Sequence, residues 1–304
     1  MKSPITLPAL PENRQFIAGL LLGVTGSFCF AAKAVFVKMA YHYGITALPL
    51  LTLRLIFATP FYLFALWLDK TPWVTSKRDI IAAIICGFLG NYVSSLLDFM
   101  GLAYISVGLE RLTLFLYPSF IIILSALLLK IPVKRSNILS LAVCYVGILL
   151  AFTSEMHLST TPEKTLLGTL LVITSAFSYS FYMMGNGVYG KRLGTIRFTA
   201  LTMLSGTIAI ITHYLMEFPL LDLTHYPPEV YVLSFTMATV STVFASFMIT
   251  IGISYIGAGL IGIIGTIGPV FTLGLGAIFL SEPLTLLQLA GMVLVILGVV
   301  SVKK

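Results

Sequence analysis

Charge is what this chain has least of. Asp, Glu, Lys and Arg make up only 10% of its 304 residues, against roughly 25% in a soluble domain. So few charges cannot cover a water-facing surface, which excludes an ordinary soluble enzyme or binding module. No stretch is both polar enough and long enough to form a separate soluble domain. Cysteine is nearly missing too. Cys29, Cys86 and Cys144 all fall inside apolar runs, with neither a pairing pattern nor metal-ligand spacing, and read as small core residues. Of the four histidines, His42, His157 and His225 are loop residues. His213 reads as a satisfied interfacial side chain rather than a proton relay. No glycine pattern suits a dinucleotide-binding turn, so no cofactor and no metal are expected. The net charge of +7 comes from bases scattered among short loops, which gives no nucleic-acid partner.

Apolar residues are abundant instead: 58% of the chain, with a mean hydropathy of +1.03. Runs near 20 residues, long enough to cross a bilayer as helix, recur from end to end. They predict an all-α integral membrane protein with ten transmembrane helices, at 16–40, 46–68, 79–104, 108–129, 136–153, 165–189, 197–217, 229–254, 259–280 and 285–302. Residues 1–15 form a polar tail ahead of a retained first span, which is too long for a signal-peptide core and lacks a small-residue cleavage site.

Lys and Arg placement predicts the orientation. With the N-terminus cytoplasmic, thirteen bases lie inside, among them Lys70, Lys77, Arg78, Lys130, Lys134, Arg135, Lys191, Arg192 and Arg197, and only Lys38, Arg111 and Lys164 lie outside. Both termini then face the cytoplasm, which an even number of spans requires, and the inner (plasma) membrane is the expected location.

The chain repeats itself. At a spacing of 151 positions Gly101 meets Gly252, Tyr104 meets Tyr255, Ile105 meets Ile256, Gly108 meets Gly259, Pro118 meets Pro269, Pro132 meets Pro283 and Gly147 meets Gly298. Earlier helices align near 149, with Gly19 on Gly168 and Phe28 on Phe177. The expected units are 16–153 and 165–304, joined by an outer linker at 154–164. Five spans per unit is an odd number, so the second unit enters the membrane the other way up. Two inverted five-helix repeats are an architecture of secondary transporters, whose substrate sites lie near the midplane between repeats.

These residues resemble the EamA family of the drug/metabolite transporter superfamily, across nearly the whole chain. The resemblance is carried by Thr52-Leu53-Arg54, by Gly101 to Ser106, by Tyr117-Pro118, by Gly268-Pro269, by Ser281-Glu282-Pro283 and by the run from Leu287 to Gly298. It implies a ten-helix carrier of small organic solutes, often an exporter of amino acids or related metabolites, with a small-molecule substrate and the lipid bilayer as partners and with a homodimer allowed. It does not imply an enzyme. The first repeat departs from the pattern, with Ile131-Pro132 where the acid-proline turn would stand, so any cap that the acid provides to the following helix is missing there.

Charges inside the bilayer cost about 2.5–3.5 kcal/mol each and must face protein or water. Lys33, Arg54 and Asp98 each lie roughly 10 Å from the outer ends of their spans, with Glu110 and Arg111 just above them. All five belong to the first repeat. The related positions of the second are Tyr182 for Lys33, Ile249 for Asp98 and Gly262 for Arg111. One reading is an internal ion-pair network that locks helices together. Another is an outer vestibule in which the base left over by two acids binds a substrate anion, or Asp98 conducts a proton. In a third, Lys33 snorkels to the interface. Arg54 is the preferred anion anchor, since its fixed fork grips a carboxylate bidentately.

Polar stripes add candidates. Asn91, Ser94, Ser95 and Asp98 line one face of the third span. Ser175, Ser178, Tyr179, Tyr182, Asn186 and Tyr189 line the sixth, where the bulky phenols suit a wet cavity better than close packing. Thr239, Thr242, Ser246 and Thr250 in the eighth read as packing glue. Pro118 and Pro269 are expected to kink their helices at matching depth, either as hinges or as packing irregularities. Secondary transport by alternating access leads. An intramembrane enzyme acting on lipid or peptide lacks a nucleophile–base set, and an assembly subunit would not need asymmetric polar stripes.

Overall fold

In a computed structural model the chain is described over residues 12–69, 76–130 and 135–301. The turn at Ile131-Pro132 and the basic residues Lys2, Lys70, Lys134, Lys303 and Lys304 lie outside the described residues. Ten apolar spans follow one another: Glu12–Tyr41, Ala47–Leu68, Lys77–Leu102, Val107–Leu128, Arg135–Leu158, Pro162–Leu193, Thr195–Glu217, Pro228–Ile253, Leu260–Leu280 and Leu286–Ser301. Nine of the described spans are long enough to cross a bilayer, and the last is a shorter apolar helix. The helices outrun the sequence expectation where polar residues continue the turn. The fifth reaches Leu158 and so carries Glu155, and the sixth runs from Pro162 to Leu193.

The repeat is written into the backbone. The third span contains a π-turn at Phe88–Val93 and the eighth one at Thr239–Phe244, 151 positions apart at both ends. Lys130 and Ser281, also 151 apart, share the left-handed conformation at the end of the fourth and ninth spans, each with φ 55°. Their N–H groups close the same kind of cap, onto the carbonyls of Ser125 and Gly276.

The expected proline kinks are full breaks. The fourth span is two helices, Val107–Leu114 and Tyr117–Leu129, and Pro118 sits in the first turn of the second. In the ninth span the break falls at Thr266 and Ile267, and Pro269 opens Gly268–Leu280. Proline is well placed in a first turn, where its missing N–H has no helical partner to lose. Both breaks fall near mid-span.

Helix pairs meet where side chains are small. The fifth and tenth spans cross with Gly147 against the Gly291 carbonyl and Gly298 against the Ser140 carbonyl. A Cβ added at Gly291 would collide with the Gly147 carbonyl, so only glycine permits this approach. The third and sixth spans cross with Gly101 against Gly168, and the first meets the eighth with Gly19 against Tyr255 and Ile256.

The two faces of the bundle differ. On the face that carries Ser106, Glu155 and Glu282, the helix Val107–Leu114 packs on Gly268–Leu280: a Cβ at Gly108 would meet Leu273 at 3.3 Å, and one at Gly276 would meet Val107 at 2.6 Å. Toward the face that carries Lys191, Cβ atoms at Gly262 and Gly265 would meet nothing within 4 Å.

Candidate functional site

Five of the candidate residues carry charge, and the structure sorts them into two groups. Lys33 of the first span and Asp98 of the third form an ion pair at 2.6 Å, with Asp98 nearly sealed from solvent. Glu110 joins them at 0% exposure, with Asp98 as a side-chain hydrogen-bond neighbour and Lys33 and Arg111 as electrostatic neighbours. Lys33 therefore turns inward to an acid.

Arg54 and Arg111 make no ion pair with a described acid, although Asp98 acts electrostatically on Arg54 and Arg111 on Glu110. Arg54 is buried; its Nε donates to the Thr242 hydroxyl at 3.2 Å, and the guanidinium lies over the Phe99 ring at 5.5 Å. Its Nη1 has no hydrogen-bond partner, and no described carboxylate lies within ion-pair distance of it. Arg111 lies over the Phe115 ring at 5.8 Å and reaches Gly268 at the break of the ninth span, with its Nε unpartnered.

Aromatic residues link the two guanidinium groups. Tyr62 lies beside Arg54, and Tyr117 and Tyr179 lie beside Arg111. Tyr117 and Tyr179 meet edge-on at 5.5 Å, and Tyr179 and Tyr182 are 5.5 Å apart. Tyr182 in turn packs on Phe198. An arc of phenols with a guanidinium at each end is thus assembled from the second, fourth and sixth spans. The polar stripes read from the sequence do not include Tyr62 and Tyr117.

The π-turns stand beside this arc. Asn91 and Thr242 occupy the same place in the two turns, 151 positions apart. Thr242 fills the looser helix by donating to the Met237 carbonyl, five residues back, while it accepts from Arg54. The Asn91 amide nitrogen and the Ser241 hydroxyl are buried without partners. Asn186 sits about one turn beyond Tyr182, beside Gly190 of its own helix, and joins neither charged group.

The remaining stripes resolve into packing. Ser175 donates to the Ser94 carbonyl and Ser178 to the Leu89 carbonyl, which ties the sixth span to the third. Thr239, Ser246 and Thr250 bond back to their own helix. His213 bridges Tyr92 and Glu217, at 3.0 Å each.

The acid-proline turn departs from its expected role. The helix after it is capped by a reciprocal pair: the Thr285 N–H donates to the Gln288 side chain and the Gln288 N–H to the Thr285 hydroxyl. Glu282 itself turns to the other repeat. Among residues that sequence reasoning passes over, Arg197 and Asp69 form a buried pair at 2.9 Å that joins the second and seventh spans.

Comparison with known proteins comes down to one family. The EamA-like transporter family matches residues 17–153 and 166–303. The chain is 27% identical over 286 residues to the uncharacterized transporter YcbK of Bacillus subtilis (strain 168), covering 91% of this chain and 90% of that protein. It is 28% identical over 232 residues to YyaM of the same organism, also named an uncharacterized transporter, covering 74% and 73%. A solved crystal structure shares the fold with a TM-score of 0.61 at 16% identity, covering 93% of this chain and 96% of the other.

Proposed function

The chain belongs to the EamA-like transporter family, and on that premise we propose that it is a secondary transporter that moves a small organic metabolite bearing a carboxylate, an amino acid or a related solute. It is a multi-pass membrane protein. The location we propose is the inner (plasma) membrane with both termini in the cytoplasm, which the bias of Lys and Arg between the loops supports. The Glu282 face is then the outer one and the Lys191 face the inner one. Alternating access is proposed between units 16–153 and 165–304, with export as the direction that the family resemblance suggests. Close packing of the fourth span on the ninth at the outer face supports an arrangement closed on that side.

One observation supports the substrate assignment: Arg54 is buried, its Nε is held by Thr242, its Nη1 has no hydrogen-bond partner among the described residues, and Asp98 acts on it from beyond ion-pair distance while paired with Lys33. A buried, unpaired guanidinium is costly unless something anionic comes to it. Its bidentate fork suits a carboxylate, Arg111 offers a second cation across the phenol arc, and the rings offer a wall for an apolar side chain.

The test is counterflow in proteoliposomes loaded with a panel of amino acids, organic acids and neutral sugars. Charge-assisted hydrogen bonds of this kind contribute about 1.5–3 kcal/mol, so Arg54→Met is expected to weaken exchange of carboxylate solutes by roughly 10- to 100-fold while the protein stays folded. Equal exchange of anionic solutes by wild type and a folded Arg54→Met would overturn the assignment.

A further inference from the structure

The helix Val107–Leu114 opens the fourth span at the Glu282 face, and its first N–H groups have no partner within the helix. Two carboxylates accept from its N-terminal N–H groups, one from each repeat. Glu155, at the end of the fifth span, accepts from the Ser106 N–H and from the Ser106 hydroxyl, both at 2.7 Å. Glu282, in the turn between the ninth and tenth spans, accepts from the Val107 N–H through both carboxyl oxygens at 3.1 Å. Gln288 of the tenth span donates to Glu155 at 3.3 Å, and Lys38 of the first lies 3.8 Å from Glu282. Negative charge at a helix N-terminus is stabilised by the helix dipole as well as by these bonds.

The arrangement crosses the repeats. Glu282 belongs to the second repeat and the helix it caps to the first, and the contact sits where Gly108 and Gly276 bring the two broken spans together. The residue types that make it are not repeated at the related positions. The position related to Glu282 is Ile131, which has no acceptor, and the position related to Ser106 is Gly257, which has no hydroxyl and adopts φ 82°.

We propose that Glu282, seconded by Glu155, is a one-sided gate latch: it ties the outer half of the ninth span to the fourth, and its release from the Val107 N–H is the step that opens the substrate site to the outer face. Glu282 is a positioning residue, acting on the gate rather than on the solute. The latch rests on the transporter reading for its purpose, but its geometry does not depend on which solute is carried. With the outer face latched, the inner face is the resting exit.

The facing groups define what the latch responds to. From the first span Lys38 faces Glu282, from the fifth Glu155, from the fourth the Val107 and Gly108 N–H groups; the tenth contributes the neutral Gln288 beside Glu155.

The experiment needs no substrate. In a background with Cys29, Cys86 and Cys144 changed to Ala, Thr113→Cys places one thiol on the capped helix, at a position with 0% exposure. A membrane-impermeant maleimide is added from outside to right-side-out vesicles. Labelling is expected to be slow in this parent and at least tenfold faster with Glu282→Ala, while Glu282→Asp, which keeps an acceptor, restores much of the protection. Labelling of a monodisperse Glu282→Ala protein at the parent rate would overturn the latch. If Glu282→Ala does not fold, Glu155→Ala breaks the companion pair and is read in the same way, and an unchanged rate there is equally fatal. A negative result leaves the transporter reading standing, since counterflow is measured separately.

Discussion

The two repeats share a backbone and differ in chemistry. Both carry a π-turn, a mid-span break ahead of proline and a left-handed cap, each at one spacing of 151 positions. Yet Lys33, Asp98, Glu110 and Arg111 of the first repeat correspond to Tyr182, Ile249, Ile261 and Gly262 of the second. The shared irregularities belong to the fold, since they survive this exchange of side chains. What differs is the chemistry a solute would meet, and it is concentrated in one repeat. An inverted pair of identical units would treat both membrane faces alike. Unequal side chains on equal backbones give the molecule a direction.

Swapping residues between the repeats tests how far this division holds. The largest effect is expected from Asp98→Ile, which installs the second repeat's residue and strands the Lys33 ammonium. Breaking a buried pair costs about 3–5 kcal/mol, so thermal unfolding in detergent should show a strongly destabilised protein. Adding Lys33→Met should recover most of the loss, because an apolar pair of similar volume is often as stable as the ion pair. A double mutant no more stable than Asp98→Ile would mean that the pair is not the structural unit its 2.6 Å contact suggests.

A smaller and symmetric effect is expected at the crossing of the fifth and tenth spans. Gly147→Ala and Gly298→Ala, 151 positions apart, each push a methyl group into a facing carbonyl, of Gly291 and of Ser140. Overpacking of this kind costs about 1–3 kcal/mol, and the two should be alike if the crossing belongs to the shared scaffold. A neutral result at one and a severe one at the other would break the equivalence of the repeats here.

The smallest effect concerns the unequal faces. Burial pushes the Glu282 carboxyl above the ordinary carboxylate range, with Glu155 adding to the rise and with Lys38 and the Val107 and Gly108 N–H groups opposing it. When the latch opens, water replaces that burial and the carboxyl returns toward its ordinary value. Proton affinity is then higher in the latched state, so lowering the pH favours the latch and raising it favours release. Fluorescence from an environment-sensitive dye attached at Thr113→Cys should report a more shielded site as the outer pH falls through the raised Glu282 value. Glu282→Gln, fixed in the neutral form, should show no such dependence.

Much of the architecture is legible in the sequence. Apolar runs mark ten spans, and the match of Gly101 with Gly252 and Pro118 with Pro269 marks the repeat, because lipid leaves helices few alternatives. The charged residues can be located at a common depth, but their partners cannot be assigned from sequence. Lys33 and Asp98 are 65 positions apart, and the choice between Lys33 and Arg54 as partner of Asp98 is made only in three dimensions. The π-turns leave no local signature, since a looser turn needs no special residue and the spare hydroxyl of Thr242 is one of many. The kinks expected at Pro118 and Pro269 are breaks because the chain leaves the helix before each proline. The role of Glu282 is hidden for a different reason. An acid ahead of a proline reads as a cap for the next helix, while Thr285 and Gln288 do that work and the acid serves a helix 175 positions away.

A π-turn also alters the phase of every residue after it. It holds one residue more than an α-turn, so each later side chain is set back by about 100° around the axis relative to an unbroken α-helix. In the third span that step lies between Gly87, which packs on the seventh span, and Asp98, which meets Lys33 of the first. The eighth span takes the same step, between Ala238 and Ala245. A single helix can thus address one set of neighbours below mid-span and another above it without bending. Straightening Phe88–Val93 into α-helix with no residue removed would turn Asp98 away from Lys33 and the Phe99 ring away from Arg54, whereas deleting one residue there would close the π-turn and keep both contacts.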